Sequence, residues 1–221
     1  MKLTVTAFCT LDGVMQGPGG AEEDASGGFA HGGWLVPFAD ADFGRLITEI
    51  FDHADAFLIG RTTYDLFVAH WPHVTDPDDI VAAKLNSLPK YVVSSTLTGP
   101  TWDNTHVVSP SDLAATVAEL KAQDGDELQV HGSATLVQGL TEQRLVDAYN
   151  VWTFPVVLGE GKRLFGDGAV PTGMAHVRTD VTKAGVVVSR YEPTGTPATG
   201  TVVREEGRTL TQMGDEVIDP W

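Results

Sequence analysis

Among the 221 residues there is one cysteine, Cys9, and only 14 Lys and Arg against 30 Asp and Glu; no window approaches the ~18 consecutive apolar residues of a membrane span. A lone thiol closes no internal disulfide and cannot hold structural zinc, so a secreted disulfide scaffold is excluded and a reducing cytoplasm is the expected compartment. Metal chemistry is not expected either. His70 and His73 stand three apart, but Pro72 between them disfavours one continuous helix, and no His-Glu-x-x-His pattern occurs. The formal charge of −16 repels phosphate polymers and anionic membrane surfaces, so neither nucleic acid nor membrane is an expected partner. The first residues, MKLTVTAFCTLDG, alternate polar with apolar side chains and read as a strand rather than an export signal. Because cations are scarce, any Arg or Lys in a glycine/threonine turn becomes conspicuous.

What is present is an ordinary globular composition, 42% apolar, with strand-like and helix-like segments in alternation. Strands are expected over residues 3–9, 56–59, 91–94, 106–108, 127–131, 145–154 and 185–191. Phe43, Leu46, Ile47, Ile50 and Phe51 form one apolar helical stripe. Val81, Leu85 and Leu88 repeat the spacing, as do Leu113, Val117 and Leu120 behind a Pro110-Ser111-Asp112 start. Leu136, Val137 and Leu140 suggest another helix directly after Gly132-Ser133. Such alternation predicts an α/β three-layer sandwich whose central sheet is mixed, mostly parallel, and ends in antiparallel strands, since residues 145–192 carry strand patterns with little helix between them. Residues 1–192 read as one domain. Residues 193–221 are rich in Pro, Gly and Thr, and two outcomes stay open: a flexible tail, or a short added strand using Val202, Val203 and Leu210.

In an open α/β sheet, ligands bind beyond the carboxyl ends of the parallel strands, where backbone N–H groups at helix starts attract phosphates. Three such turns share a chemistry. Gly60-Arg61-Thr62-Thr63 offers a close backbone approach, two hydroxyls and a planar cation suited to a phosphate monoester. Ser94-Ser95-Thr96 ends another strand with hydroxyls alone, and Gly132-Ser133-Ala134-Thr135 could seat a pyrophosphate. Each turn also has an ordinary reading, as a capped or polar turn. Together they describe a cleft for a phosphorylated nucleotide, with Arg61 placed for an extra phosphate. Gly159-Glu160-Gly161-Lys162-Arg163-Leu164-Phe165-Gly166 has its last glycine too late for G-x-G-x-x-G, and it lacks the spacing of a Walker A loop. No G-x-S-x-G elbow occurs.

Leu11-Asp12-Gly13, Gly60-Arg61-Thr62-Thr63-Tyr64, Ser94-Ser95, Gly132-Ser133-Ala134 and Pro155-Val156-Val157-Leu158-Gly159-x-Gly161-x-x-Leu164-Phe165, taken in order, resemble the dihydrofolate reductase superfamily over residues 1–192. The nearest likeness is to the branch related to the C-terminal reductase domain of bifunctional riboflavin-biosynthesis enzymes. The resemblance implies an NADPH-dependent reductase acting on a small pterin-like or pyrimidine-like molecule, commonly as a homodimer. It implies that Arg61, Ser94 and Ser95 hold the 2′-phosphoadenosine end, that Thr62, Thr63, Gly132, Ser133, Ala134 and Thr135 hold the pyrophosphate, and that Gly60 is among the cofactor-binding residues. Residues 10–16 would pass beside the nicotinamide, and residues 159–165 would form a loop near the cleft, with Phe165 toward substrate.

Folate reductases carry a carboxylate shortly after a Trp…Pro segment. Here Trp34-Leu35-Val36-Pro37 precedes Asp40 and Asp42, which compete for a proton role against simple helix capping. Asp12 is the third candidate, against a turn-stabilising role. The glycine-rich stretch 16–33 could act as a substrate lid that brings Trp34 to the ligand, or be a surface loop. A substrate phosphate would need a second basic site, for which Lys162 and Arg163 are candidates. No deaminase residues with zinc-ligand spacing are present, so a stand-alone reductase is expected. The competing class is a nucleotide-binding module that keeps the cofactor cleft without turnover.

Overall fold

The computed structural model describes residues 1–205 and 208–218. Eight strands form the central sheet: β1 (Lys2–Thr10), β2 (Ala54–Gly60), β3 (Lys90–Val93), β4 (Thr105–Val108), β5 (Glu127–Val130), β6 (Ala148–Phe154), β7 (Gly173–Val181) and β8 (Val187–Gly195). Their spatial order is β4-β3-β2-β5-β1-β6-β8-β7. The first six in that order run parallel; β8 is antiparallel to β6, and β7 to β8. The mixed, mostly parallel sheet expected from the alternation of segments is therefore the architecture.

Alternation along β1 sets up the layers. Leu3, Val5, Ala7 and Cys9 face a core shared with Leu128, Val130 and the helices α4 (Leu113–Lys121) and α5 (Ala134–Glu142). The opposite face carries Thr4, Thr6 and Phe8, and meets α1 (Ala41–Asp52), α2 (Arg61–Val68) and α3 (Ile80–Ser87) through Leu46, Ile50, Trp152, Phe57, Tyr64 and Leu85. The Cys9 thiol lies inside the first core, where burial pushes its pKa up to about 12.

The stripe of α1 packs Leu46, Ile50 and Phe51 inward as its spacing predicts. The helix starts at Ala41, with Asp40 as its cap, two residues before the stripe itself. Lys90, fully buried at the start of β3, donates to the Leu85 and Leu88 carbonyls at the end of α3 and lies over the Trp102 ring. Strand β7 was not separately legible, because nearly all its residues are exposed and show no alternation of burial.

The tail carries strands of its own. β9 (Thr201–Glu205), β10 (Arg208–Met213) and β11 (Glu216–Ile218) pair antiparallel with one another in a second, three-stranded sheet. Val202, Val203 and Leu210 do lie in strands, but they pair within this meander rather than extending the central sheet. Among the described residues no helix is long and apolar enough to cross a membrane.

Candidate functional site

The carboxyl ends of β2 and β5 are neighbours, and the turns that follow them meet. Gly60 N–H donates to the Gly132 carbonyl at 3.2 Å. A Cβ on Gly60 would run into the Ser133 side chain, 3.1 Å from its backbone nitrogen. Gly132 has φ +119°, a glycine conformation, and a Cβ there would stand 3.0 Å from Thr63 Oγ1. Glycine at both positions is thus what lets the two turns close on each other.

Thr62, Thr63 and the run Gly132, Ser133, Ala134 and Thr135 line one side of a cleft of about 120 Å³. Thr6, Ala7 and Phe8 of β1 form its floor together with His131, and Met15, Gln16, Gly17, Pro18, Glu23, Asp24 and Lys162 close the other side. That volume is near the ~150 Å³ cavity that accepts a benzene ring. The closed part therefore admits one ring-sized group, and the remainder of a longer ligand has to lie outside it.

Side-chain capping divides the helix starts. α1 is capped by Asp40, which accepts from Phe43 N–H, and α3 by Asp79, which accepts from Ala82 N–H. The helices that begin at the cleft, α2 and α5, follow Gly60 and Ser133 and carry no side-chain cap. Helix α4, away from the cleft, is uncapped as well, so the cleft helices are marked by where they begin and not by the missing cap alone. Their first-turn N–H groups are left as donors, and the partial positive charge of each helix start adds to them.

Arg61 opens α2 just beyond this cleft. Its Nε donates to both oxygens of Asp65 at 2.9 Å, while Nη1 reaches Thr96 Oγ1 at 3.4 Å. Arg61 and the Ser94-Ser95-Thr96 turn therefore adjoin, as the order β3-β2 requires. Ser94 is buried and uses its Oγ to accept from Thr96 and Leu97 N–H, so its hydroxyl shapes the turn. Ser95 is exposed.

None of the three acids read from the sequence lines the cleft. Asp12 accepts from Thr10 Oγ1 at 2.6 Å, Gly159 N–H at 2.7 Å and Leu158 N–H at 3.2 Å. The Thr10 bond leads these in pulling its pKa down to about 2, so at neutral pH it has no proton to give. Asp40 commits one oxygen to Phe43 N–H and the other to Ala184 N–H, and the Phe43 bond leads in lowering its pKa. Asp42 accepts a 3.3 Å bond from Lys183 N–H. All three hold loops and a helix start.

The aromatic candidates are placed elsewhere too. Trp34 is buried, donates Nε1–H to the Gln16 carbonyl and meets Phe154 edge-on at 5.3 Å. Phe165 tilts against Tyr149 and lines a separate pocket beside Gln138 and Val170. The glycine-rich segment is anchored rather than free. Phe29 and Trp34 pack into the core, Gln16 Nε2 donates to the Asp24 and Ser26 carbonyls, and Lys162 Nζ reaches Asp24 at 2.6 Å and Ser26 at 2.7 Å. Arg163 points away to the Asp12 and Gly159 carbonyls.

Sequence reasoning passed over His131 and Glu23. His131 immediately precedes the Gly132 turn, a position that could have drawn attention. Glu23 sits in the glycine-rich segment with no motif around it. Burial raises the Glu23 pKa, against the lowering effect of hydrogen bonds from Gly19 and Gly20 N–H.

Comparison with known proteins gives three kinds of match. The model of the RibD C-terminal domain matches residues 1–188. A Bacillus subtilis (strain 168) protein, YyaP, described as uncharacterized, is 30% identical over 196 residues, which span 88% of this chain and 96% of that one. Among solved structures, a Shewanella sp. PV-4 protein provisionally described as a riboflavin biosynthesis protein superposes with TM-score 0.66 at 22% identity, covering 87% of this chain and 99% of that one. A pyrimidine reductase-like protein of Corynebacterium diphtheriae gives 0.58 at 14%, covering 92% of each. The Thermotoga maritima diaminohydroxyphosphoribosylaminopyrimidine deaminase/5-amino-6-(5-phosphoribosylamino)uracil reductase gives 0.57 at 14%, covering 87% of this chain and 56% of that longer one. At these identities the structural likenesses speak to the fold.

Proposed function

From the premise that the chain belongs to the RibD C-terminal domain family, we propose that it is an NADPH-dependent reductase that delivers a hydride to a small pyrimidine-like heterocycle. The observation that carries this reading is the meeting of two uncapped helix starts, with Thr62, Thr63, Ser133 and Thr135 around them, next to Arg61 in a chain of charge −16. A diphosphate fits this donor set: backbone N–H groups, hydroxyls, and a cradle that a Cβ on Gly60 or Gly132 would fill.

On this reading the two turns bind the diphosphate, and Arg61 with the Ser94–Thr96 turn takes the 2′-phosphate. When bound, NADPH supplies the hydride. The ring-sized part of the cleft, floored by Thr6, Ala7 and Phe8, receives one of the reacting rings and excludes water around it. Lys162 keeps the glycine-rich segment closed over it through Asp24 and Ser26. Glu23 is the carboxyl on the cleft wall whose pKa burial raises, which makes it the candidate carrier of the proton. The substrate class is supported by the family and by the two reductase-related neighbours.

The test is a fluorescence titration with NADPH and NADH, followed by cofactor oxidation across pterins, folates and aminopyrimidine ribitol phosphates. NADPH is expected to bind at least about tenfold tighter than NADH, the scale of one charge-assisted contact. Equal weak affinity would remove the role of Arg61. Tight binding with no oxidation across the panel would assign a binding module instead.

A further inference from the structure

The cleft floor ends in a histidine whose ring is set by a chain of buried polar side chains. We propose that His131 reads the substrate: fixed as the Nε2–H tautomer by Gln129 and Glu127, it offers Nδ1 as a hydrogen-bond acceptor that selects heterocycles carrying an N–H donor. This rests on the reductase reading of the same cleft and deepens it.

The tautomer follows from the amide of Gln129. Gln129 is fully buried on β5, and its Nε2 lies 2.6 Å from the Ile50 carbonyl and 2.9 Å from Glu127 Oε2. Glu127 is itself buried and ion-paired with Arg190 at 3.0 Å, and Arg190 also donates to Asn150 Oδ1. A carbonyl and a paired carboxylate only accept, so turning the amide over would set oxygen against oxygen twice. Gln129 Oε1 must then be the atom 3.0 Å from His131 Nε2, and an amide oxygen accepts. The hydrogen therefore sits on Nε2.

The imidazole stays neutral as well. It stacks on Phe51 at 4.7 Å, and burial pushes its pKa down to about 4. A neutral ring with its one N–H committed has a single lone pair left. Among the described residues nothing bonds Nδ1, and His131 is one of the residues that line the cleft. A lone pair there repels a carbonyl or phosphate oxygen and accepts an amino or lactam N–H. A site built to bond such a group discriminates strongly against an analogue that lacks it, because its own polar atom is then left unpaired.

Histidine-selective isotope labelling and NMR read the tautomer in the wild-type chain without cofactor, so the result does not depend on NADPH binding. The expected pattern for His131 is a protonated Nε2 and a bare Nδ1; a protonated Nδ1 overturns the proposal. 2,4-Diaminopyrimidine and its isostere 2,4-dimethylpyrimidine are then added in turn. The diamino probe is expected to move the Nδ1 resonance and to bind at least about tenfold tighter. His131→Phe, which keeps the contact with Phe51, should make the two probes equal while retaining NADPH affinity. Equal binding by the wild type, or an unmoved Nδ1 with both probes, overturns the proposal. Absence of NADPH binding by the wild type would instead overturn the reductase reading and leave the tautomer result standing.

Discussion

Asp12 and Arg61 represent two uses of charge in an acidic chain, one internal and one turned outward. Asp12 pins the end of β1 to the 158–159 turn through three donors. Asp12→Asn should cost about 1–2 kcal/mol at neutral pH, allowing for its partial exposure. The folded pKa, about 2, is below the ordinary 3.8, so this stabilisation is complete above 3.8 and fades as pH falls toward 2. Urea unfolding of both chains across that window should therefore show the difference shrinking with acid. Arg61 already has a carboxylate, Asp65, on its Nε, and only its outer nitrogens can meet a ligand. Arg61→Ala is expected to weaken NADPH about tenfold and leave NADH affinity unchanged, read by the same titration. The residue type of each was visible in the sequence. That Asp12 anchors a loop was not, because two of its donors, Leu158 and Gly159, lie more than a hundred residues away.

At the level of elements, two segments cooperate across the cleft. Residues 17–33 and 159–165 are joined by Lys162, with Gln16 between them donating to one and accepting from Lys162 N–H. Burial alone would raise the pKa of Asp24, but the Lys162 and Ser26 hydrogen bonds outweigh it and lower it. Lys162→Ala should speed limited proteolysis within 17–33 severalfold, while the melting temperature changes by no more than a few degrees, since one partly exposed ion pair contributes only about 1 kcal/mol. An unchanged cleavage rate would show that Phe29, Trp34 and the Gln16 hydrogen bonds hold the segment without Lys162. The helices were readable from spacing: α4 and α5 bury the stripe their sequence displays and α1 buries Leu46, Ile50 and Phe51 of its stripe, while α3 buries Leu85 with Ala82 and ends before Leu88. The segment itself was not, because glycine carries no apolar pattern and its anchors are single side chains.

For the whole molecule, the second sheet is the feature that departs most from expectation. β9, β10 and β11 pair among themselves and leave Val202, Met213, Val217 and Ile218 exposed. A chain ending at Gly200 should keep its NADPH affinity and its melting temperature to within a few degrees, since the central sheet is complete without the meander. The homodimer is a further proposal at this scale. Sedimentation of the full and shortened chains tests it, with the full chain expected to run as a dimer.

The sequence alone determined the local periods, the mostly parallel order of alternating elements, and the three turns rich in glycine and hydroxyls, because each is written in neighbouring residues. Tertiary structure decided what those turns surround. Only folding brings the ends of β2 and β5 together, binds Asp12 to Gly159 and Asp40 to Ala184, and runs the Arg190–Glu127–Gln129–His131 chain beneath α1. A hydrogen bond depends on distance and direction, and the partners in the longest of these contacts are separated by well over a hundred positions in the chain.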